Sequence, residues 1–131
     1  MMGPMTTASG TFTVDVSPRP PDPDTDPLGQ LRLAKTWSGD LEGRGWGLML
    51  SGGDPGAGTA GYVAIEVVDG TLEGHRGTFA FQQSGTMVGG EATLDYQVVP
   101  GSGTGELAGI SGTLDLDTSD GHRYVLTYDL P

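Results

Sequence analysis

The stretch Gly101–Asp117, GSGTGELAGISGTLDLD, decides between two kinds of protein. Its first half, Gly103-Thr104-Gly105-Glu106-Leu107-Ala108, has the G-x-G-x-x-A form of a dinucleotide-binding turn and comes after the strand-like LDYQVV. Such a turn works only where a helix begins at once, so that the phosphate meets the helix N-terminus. The residues after Gly109 are ISGTLDLD, which alternate apolar and polar and hold another glycine. That is strand spacing, and it leaves no helix to receive a phosphate. The second half points elsewhere. Ser111-Gly112-Thr113-Leu114 is echoed by Ser38-Gly39-Asp40-Leu41, Asp69-Gly70-Thr71-Leu72 and Ser84-Gly85-Thr86-Met87. In each phrase glycine allows a turn or bulge, and the Leu or Met two places on returns to the apolar face. The unequal spacing excludes a solenoid repeat.

Outward from this stretch, Gly or Pro interrupts nearly every window long enough for a helix of three turns. Eight strands are expected: Ser9–Val16, Leu31–Ser38, Leu41–Ser51, Thr59–Val68, Gly77–Met87, Ala92–Val99, Gly105–Leu116 and His122–Leu130. The fold class is all-β, a closed eight-stranded antiparallel barrel with little or no helix, because closure protects edges that an open sheet would expose. Ser17–Gln30, SPRPPDPDTDPLGQ, is too rich in proline for a central strand and reads as a surface loop. Residues 1–131 form one domain, with a flexible start over residues 1–7.

Bulk properties narrow the function. The chain of 131 residues carries a net charge of −11 and scatters its six Lys and Arg, so nucleic acid and anionic membrane surfaces are not expected partners. No apolar run is long enough to span a bilayer. There is no cysteine, hence no disulfide scaffold or thiolate metal site. The first residues show no secretory signal, and a cytoplasmic protein is expected. Asp22–Pro27 opens like a calcium loop but has Pro27 and Leu33 where Gly and Glu are required. Asp115–Gly121 reads as a hairpin turn at Asp120-Gly121. His75 and His122 bring no third ligand by spacing, and Gly109–Thr113 misses the last glycine of a nucleophile elbow. No metal and no cofactor are expected.

The strands themselves hold the candidates. In Gly61–Val68, GYVAIEVV, alternation puts Tyr62, Ala64, Glu66 and Val68 on one face and Val63, Ile65 and Val67 on the other. Two apolar faces suit a strand covered on both sides or packed on another subunit, and a homo-oligomer, a dimer first, is expected. Glu66 is the odd residue, a carboxylate in an apolar strand, which on burial must find donors or stay protonated. Phe79, Phe81, Gln83, Gly85 and Met87 share a face of the next strand.

Trp37–Gly43 (WSGDLEG), Ala60–Glu66 (AGYVAIE), Gln82–Met87 (QQSGTM) and Val98–Leu114 (VVPGSGTGELAGISGTL) together resemble a bacterial domain-of-unknown-function family of small β-barrels like that of allene oxide cyclase. The resemblance runs from about Ala8 to Leu130. It implies a central cavity and an oligomer but no reaction, since shape is not function. Family members often carry His at the place of Gln83 and Arg at that of Val67, which implies that position 67 faces outward and 62, 64 and 66 inward. The leading expectation is a barrel that holds a small, mostly apolar molecule, with Trp37, Met49, Tyr62, Phe81 and Tyr96 as walls and Glu66 and Gln83 as polar anchors. An isomerase or cyclase using Glu66 as acid or base is the alternative, and a structural or interaction module with a filled barrel is the third. With Glu66 buried beside Tyr62 and facing Gln83, Glu66→Gln is expected to preserve or raise stability at pH 7.

Overall fold

The computed structural model describes residues 5–131. Eight strands close into an antiparallel barrel in which every strand pairs with its neighbours in sequence and β8 returns to β1. They are β1 (Thr6–Pro18), β2 (Gly29–Gly39), β3 (Leu41–Asp54), β4 (Thr59–Leu72), β5 (His75–Val88), β6 (Glu91–Val98), β7 (Ser111–Asp117) and β8 (Arg123–Asp129). Each expected strand is present, all of the first five longer than the sequence indicated. Of residues 1–7, expected to be flexible, the first four lie outside the described residues, and Thr6 and Thr7 are in the ladder opposite Tyr128 and Thr127. The proline-rich segment is a loop from Arg19 to Leu28, closed by the Arg19 amide donating to the Gln30 carbonyl at 2.9 Å. Among the described residues no helix is long and apolar enough to cross a membrane.

Two sequence expectations change. The seventh strand does not start at Gly105, because Gly105–Leu107 is one turn of 3-10 helix. The whole GSGTGELAG segment is a plug for one barrel end. Its Thr104 amide donates to the Thr78 carbonyl at 2.8 Å, and its Leu107, with Ile110 just beyond, is buried in the cluster that holds Leu41, Leu72 and Leu126. The dinucleotide-like glycines thus serve close packing: a Cβ at Gly103 would strike the Leu107 carbonyl. The second change concerns the recurring phrases. Of their four glycines only Gly39 takes a positive φ, at 103°, at the β2–β3 turn. Gly70, Gly85 and Gly112 lie inside strands, where a Cβ would meet the Glu42 carbonyl, the Tyr62 ring and the Thr127 carbonyl respectively. Their role is close approach of coiled strands, not special backbone angles.

Register sorts the faces. Leu33, Lys35 and Trp37 on β2 face Gly47, Gly45 and Gly43 on β3, and these glycines leave room for the large side chains opposite. The interior is therefore packed, not hollow, around the middle: Trp37 lies 4.7 Å from Phe12, 5.5 Å from Phe81 and 5.1 Å from Tyr124, ring centre to ring centre. Tyr124 also pins the β2–β3 turn, accepting from the Leu41 amide and donating to the Ser38 carbonyl, each at 3.0 Å.

Candidate functional site

Alternation along β2 and β4 sends Lys35 and Glu66 inward, and the curvature of β2–β3–β4 brings them together across Gly45 and Gly47. Lys35 Nζ donates to Glu66 Oε1 at 2.6 Å and to the Tyr96 hydroxyl at 2.8 Å, while Tyr96 donates its own proton to Glu66 Oε1 at 2.7 Å. The three groups form a closed triangle. Glu66 is 1% exposed and Lys35 6%. The ammonium also lies 4.6 Å from the centre of the Phe12 ring and 5.2 Å from that of Tyr96, so aromatic faces supply what water would. Burial, then the Glu66 charge and hydrogen bond, push the Tyr96 phenol far above its ordinary value. Tyr96 is held as a neutral donor.

Two buried polar atoms among the described residues lack a partner, Trp37 Nε1 and Glu66 Oε2. Both border Gly45: a Cβ there would lie 2.6 Å from Glu66 Oε2 and 3.0 Å from Trp37 Nε1. Neither neighbour can swing away, one being fixed by the triangle and the other by the aromatic stack. Gly45→Ala is accordingly expected to destabilise the protein by about 1–3 kcal/mol, the usual cost of overpacking. A denaturant melt checks this, and an unchanged midpoint would show that the cluster has slack.

The residues expected to line a cavity separate into two levels. Trp37, Phe81, Tyr96 and Glu66 are buried in the packed middle. Met49, Tyr62 and Gln83 are half-buried nearer the end away from the plug, where the Tyr62 hydroxyl donates to Gln83 Oε1 at 3.0 Å. Glu66 does not face Gln83. Its ladder partners are Gly47 and Phe81, while Gln83 pairs with Ala64 and Tyr96. The sequence reading missed Lys35, although a signal existed: in Leu31–Trp37 strict alternation puts Lys35 on the same face as Trp37.

The outer face offers a second arrangement. Trp46, Leu48 and Leu50 of β3 and Val63 and Ile65 of β4 are all exposed, from 43% to 57%. They stand beside one another in the ladder, as Trp46↔Val67, Leu48↔Ile65 and Leu50↔Val63. An open depression of about 1000 Å³ runs from them across Gln82 and Ser84 of β5 to Asp95 and Gln97 of β6 and Thr113 of β7. At its far side the wall is held by one ladder pair, Gln97↔Thr113. Gly47, Ala64, Gln83, Tyr96 and Leu114, which alternate toward the interior, also border it.

The sequence model of a family described as "Protein of unknown function (DUF3224)" matches residues 8–128. A crystal structure of a protein of unknown function from that family, from Shewanella oneidensis MR-1, superposes with a TM-score of 0.89 at 40% identity, covering 97% of this chain and 98% of that one. No curated protein matches.

Proposed function

The chain belongs to the DUF3224 family of unknown function, and from that premise we propose that it is a binding module acting through the outer face of β3 to β6. The observation that carries this reading is a contrast of burial. The inward candidates Trp37, Glu66 and Phe81 are sealed, while Trp46, Leu48, Leu50, Val63 and Ile65 stand in solvent beside a roomy depression. Contiguous exposed apolar surface of this kind marks interaction sites on monomers. The buried triangle supports a structural task for Glu66, which already holds two donors on one oxygen, more than an acid–base role that needs access to a substrate. A cytoplasmic setting is proposed on the sequence alone.

A second reading places a small apolar molecule at the open end of the barrel, favoured by the half-buried Met49, Tyr62 and Gln83 with the buried triangle beneath them. Nile red at submicromolar protein separates the two. The outer-face reading predicts dye fluorescence that Ile65→Glu abolishes and Met49→Glu leaves intact. The converse pattern would transfer the function to the barrel mouth. Trp46, at 51% exposure, supplies a second signal, because its emission should blue-shift on occupancy while buried Trp37 stays constant.

A further inference from the structure

Resting on that reading of the depression, we propose that its partner is an extended basic peptide, which adds as a strand to the free edge of β6 in a seam between β6 and β7. The barrel is closed by little there. β5 and β6 are in register from Phe81↔Val98 to Val88↔Glu91, and β7 and β8 from Ser111↔Asp129 to Asp117↔Arg123. Among the described residues β6 and β7 share only Gln97↔Thr113.

Beyond that pair the start of β6 stands uncovered. Glu91–Asp95 are all exposed, Ala92 and Leu94 included, although these two alternate to the same face as the buried Tyr96 and Val98. The Val99 amide donates to the Ala80 carbonyl of β5 at 2.8 Å. Backbone groups alternate along a strand, so the N–H and C=O of Ala92 and Leu94 point away from β5 and into the seam. Among the described residues no ladder partner answers them there. An unpaired edge of this kind is a template for another strand.

Charge explains both why the seam stays open and what fits it. Continuing the register from Gln97↔Thr113 would set Asp95 opposite Asp115 and Thr93 opposite Asp117. Like charges directly opposite destabilise a ladder. Asp117 has Arg123 beside it on β8, but Asp95 and Asp115 belong to no ion pair among the described residues. β4, β6 and β7 contain no Lys or Arg at all. An incoming strand relieves this pair if it carries Lys or Arg on its outward face, between the two carboxylates. Its inward face meets Leu94, 40% exposed, and half-buried Leu116, and must be apolar.

Alternating basic and apolar residues satisfy both faces at once. The chain's net charge of −11 draws such a segment in and repels an acidic one. Leu94, Asp95, Leu114 and Asp115 all border the depression, so a strand seated in the seam builds up its far wall. The contact is small and belongs with transient encounters.

A fluorescein-labelled peptide of seven residues alternating Lys and Val, titrated by anisotropy with protein up to about a millimolar, tests the proposal. Saturable binding is expected, together with slowed hydrogen exchange at the Ala92 and Leu94 amides. A Glu–Val peptide of the same length should not bind. N-methylation of the Lys–Val backbone, which removes ladder donors and keeps the charge, should weaken binding about tenfold or more, and so should Asp95→Lys with Asp115→Lys. That double variant should take up the Glu–Val peptide instead. Both positions are exposed, and circular dichroism confirms the barrel; should the variant fail to fold, exchange and N-methylation in the wild type decide. No binding of the Lys–Val peptide, binding indifferent to N-methylation, or protection confined to β3 and β4 would each overturn the added strand. Nile red still lost on Ile65→Glu in any of these cases would leave the binding-module reading standing.

Discussion

Lys35→Met is expected to cost the protein about 3–5 kcal/mol at pH 7, the loss found when one partner of a buried ion pair is removed. The cause is the carboxylate left behind. Glu66, 1% exposed, would keep only the Tyr96 hydroxyl as donor, with Oε2 already without a partner. Glu66→Gln is expected to cost a similar amount, since it strands the Lys35 ammonium among Phe12, Trp37 and Tyr96. This reverses the sequence-based expectation that Glu66→Gln preserves or raises stability, which rested on a carboxylate without a cation beside it. Removing the whole cluster behaves differently. Lys35→Met, Glu66→Leu and Tyr96→Phe together leave no buried charge and no stranded hydroxyl, and such replacements are often neutral or stabilising by about 1–4 kcal/mol. Urea titrations of the singles and the triple variant check both halves. A single substitution that costs less than about 1 kcal/mol would mean that water reaches the pair.

At high pH the barrel is expected to unfold steeply, and its tyrosines are the reason. All four, Tyr62, Tyr96, Tyr124 and Tyr128, have phenols raised above their ordinary value of 10.0, with burial the largest cause at each. Tyr96 adds the charge and hydrogen bond of Glu66, and Tyr128 the hydrogen bond of Glu73 at 2.6 Å. In the unfolded chain these groups lose their protons near pH 10, whereas the folded barrel keeps them. Their stabilising effect is whole below pH 10 and drains away as pH rises beyond it, because the folded state then binds more protons than the unfolded one. Tyr96 alone accounts for up to about 1.4 kcal/mol per pH unit above that point. Tyr124 and Tyr128 act in the same direction, and half-exposed Tyr62 less. Absorbance of tyrosinate near 295 nm, followed together with circular dichroism, should show the phenols ionising with the unfolding transition and not before it. Separate, ordinary titration of Tyr96 in a folded barrel would contradict the buried triangle.

Much of the architecture was legible because strand periodicity is local. The alternation in GYVAIEVV put Tyr62, Ala64, Glu66 and Val68 on one face and Val63 and Ile65 on the other, the family resemblance turned the first face inward, and the barrel arranges them so. Turn residues bounded the strands well except at Gly105, where a glycine-rich run that looked like the start of a strand instead plugs the barrel through Leu107 and Ile110. The plug is a tertiary fact, since nothing within GSGTGELAG says which end of a barrel needs closing.

The sequence by itself determined an all-β chain, the number of its strands and that Glu66 shares a face with Tyr62, Ala64 and Val68, because each depends on neighbours one or two residues away. It also contained the facing of Lys35, beside Trp37 on one side of β2. Only the tertiary structure decided that these two side chains meet, for they are 31 residues apart and touch across a third strand whose glycines make the room. Likewise only the tertiary structure placed Trp37, Phe81 and Tyr96 in the packed middle of the barrel. Volume is set by how tightly eight strands coil, and that depends on glycines such as Gly43, Gly45 and Gly47 facing large residues on the strand beside them.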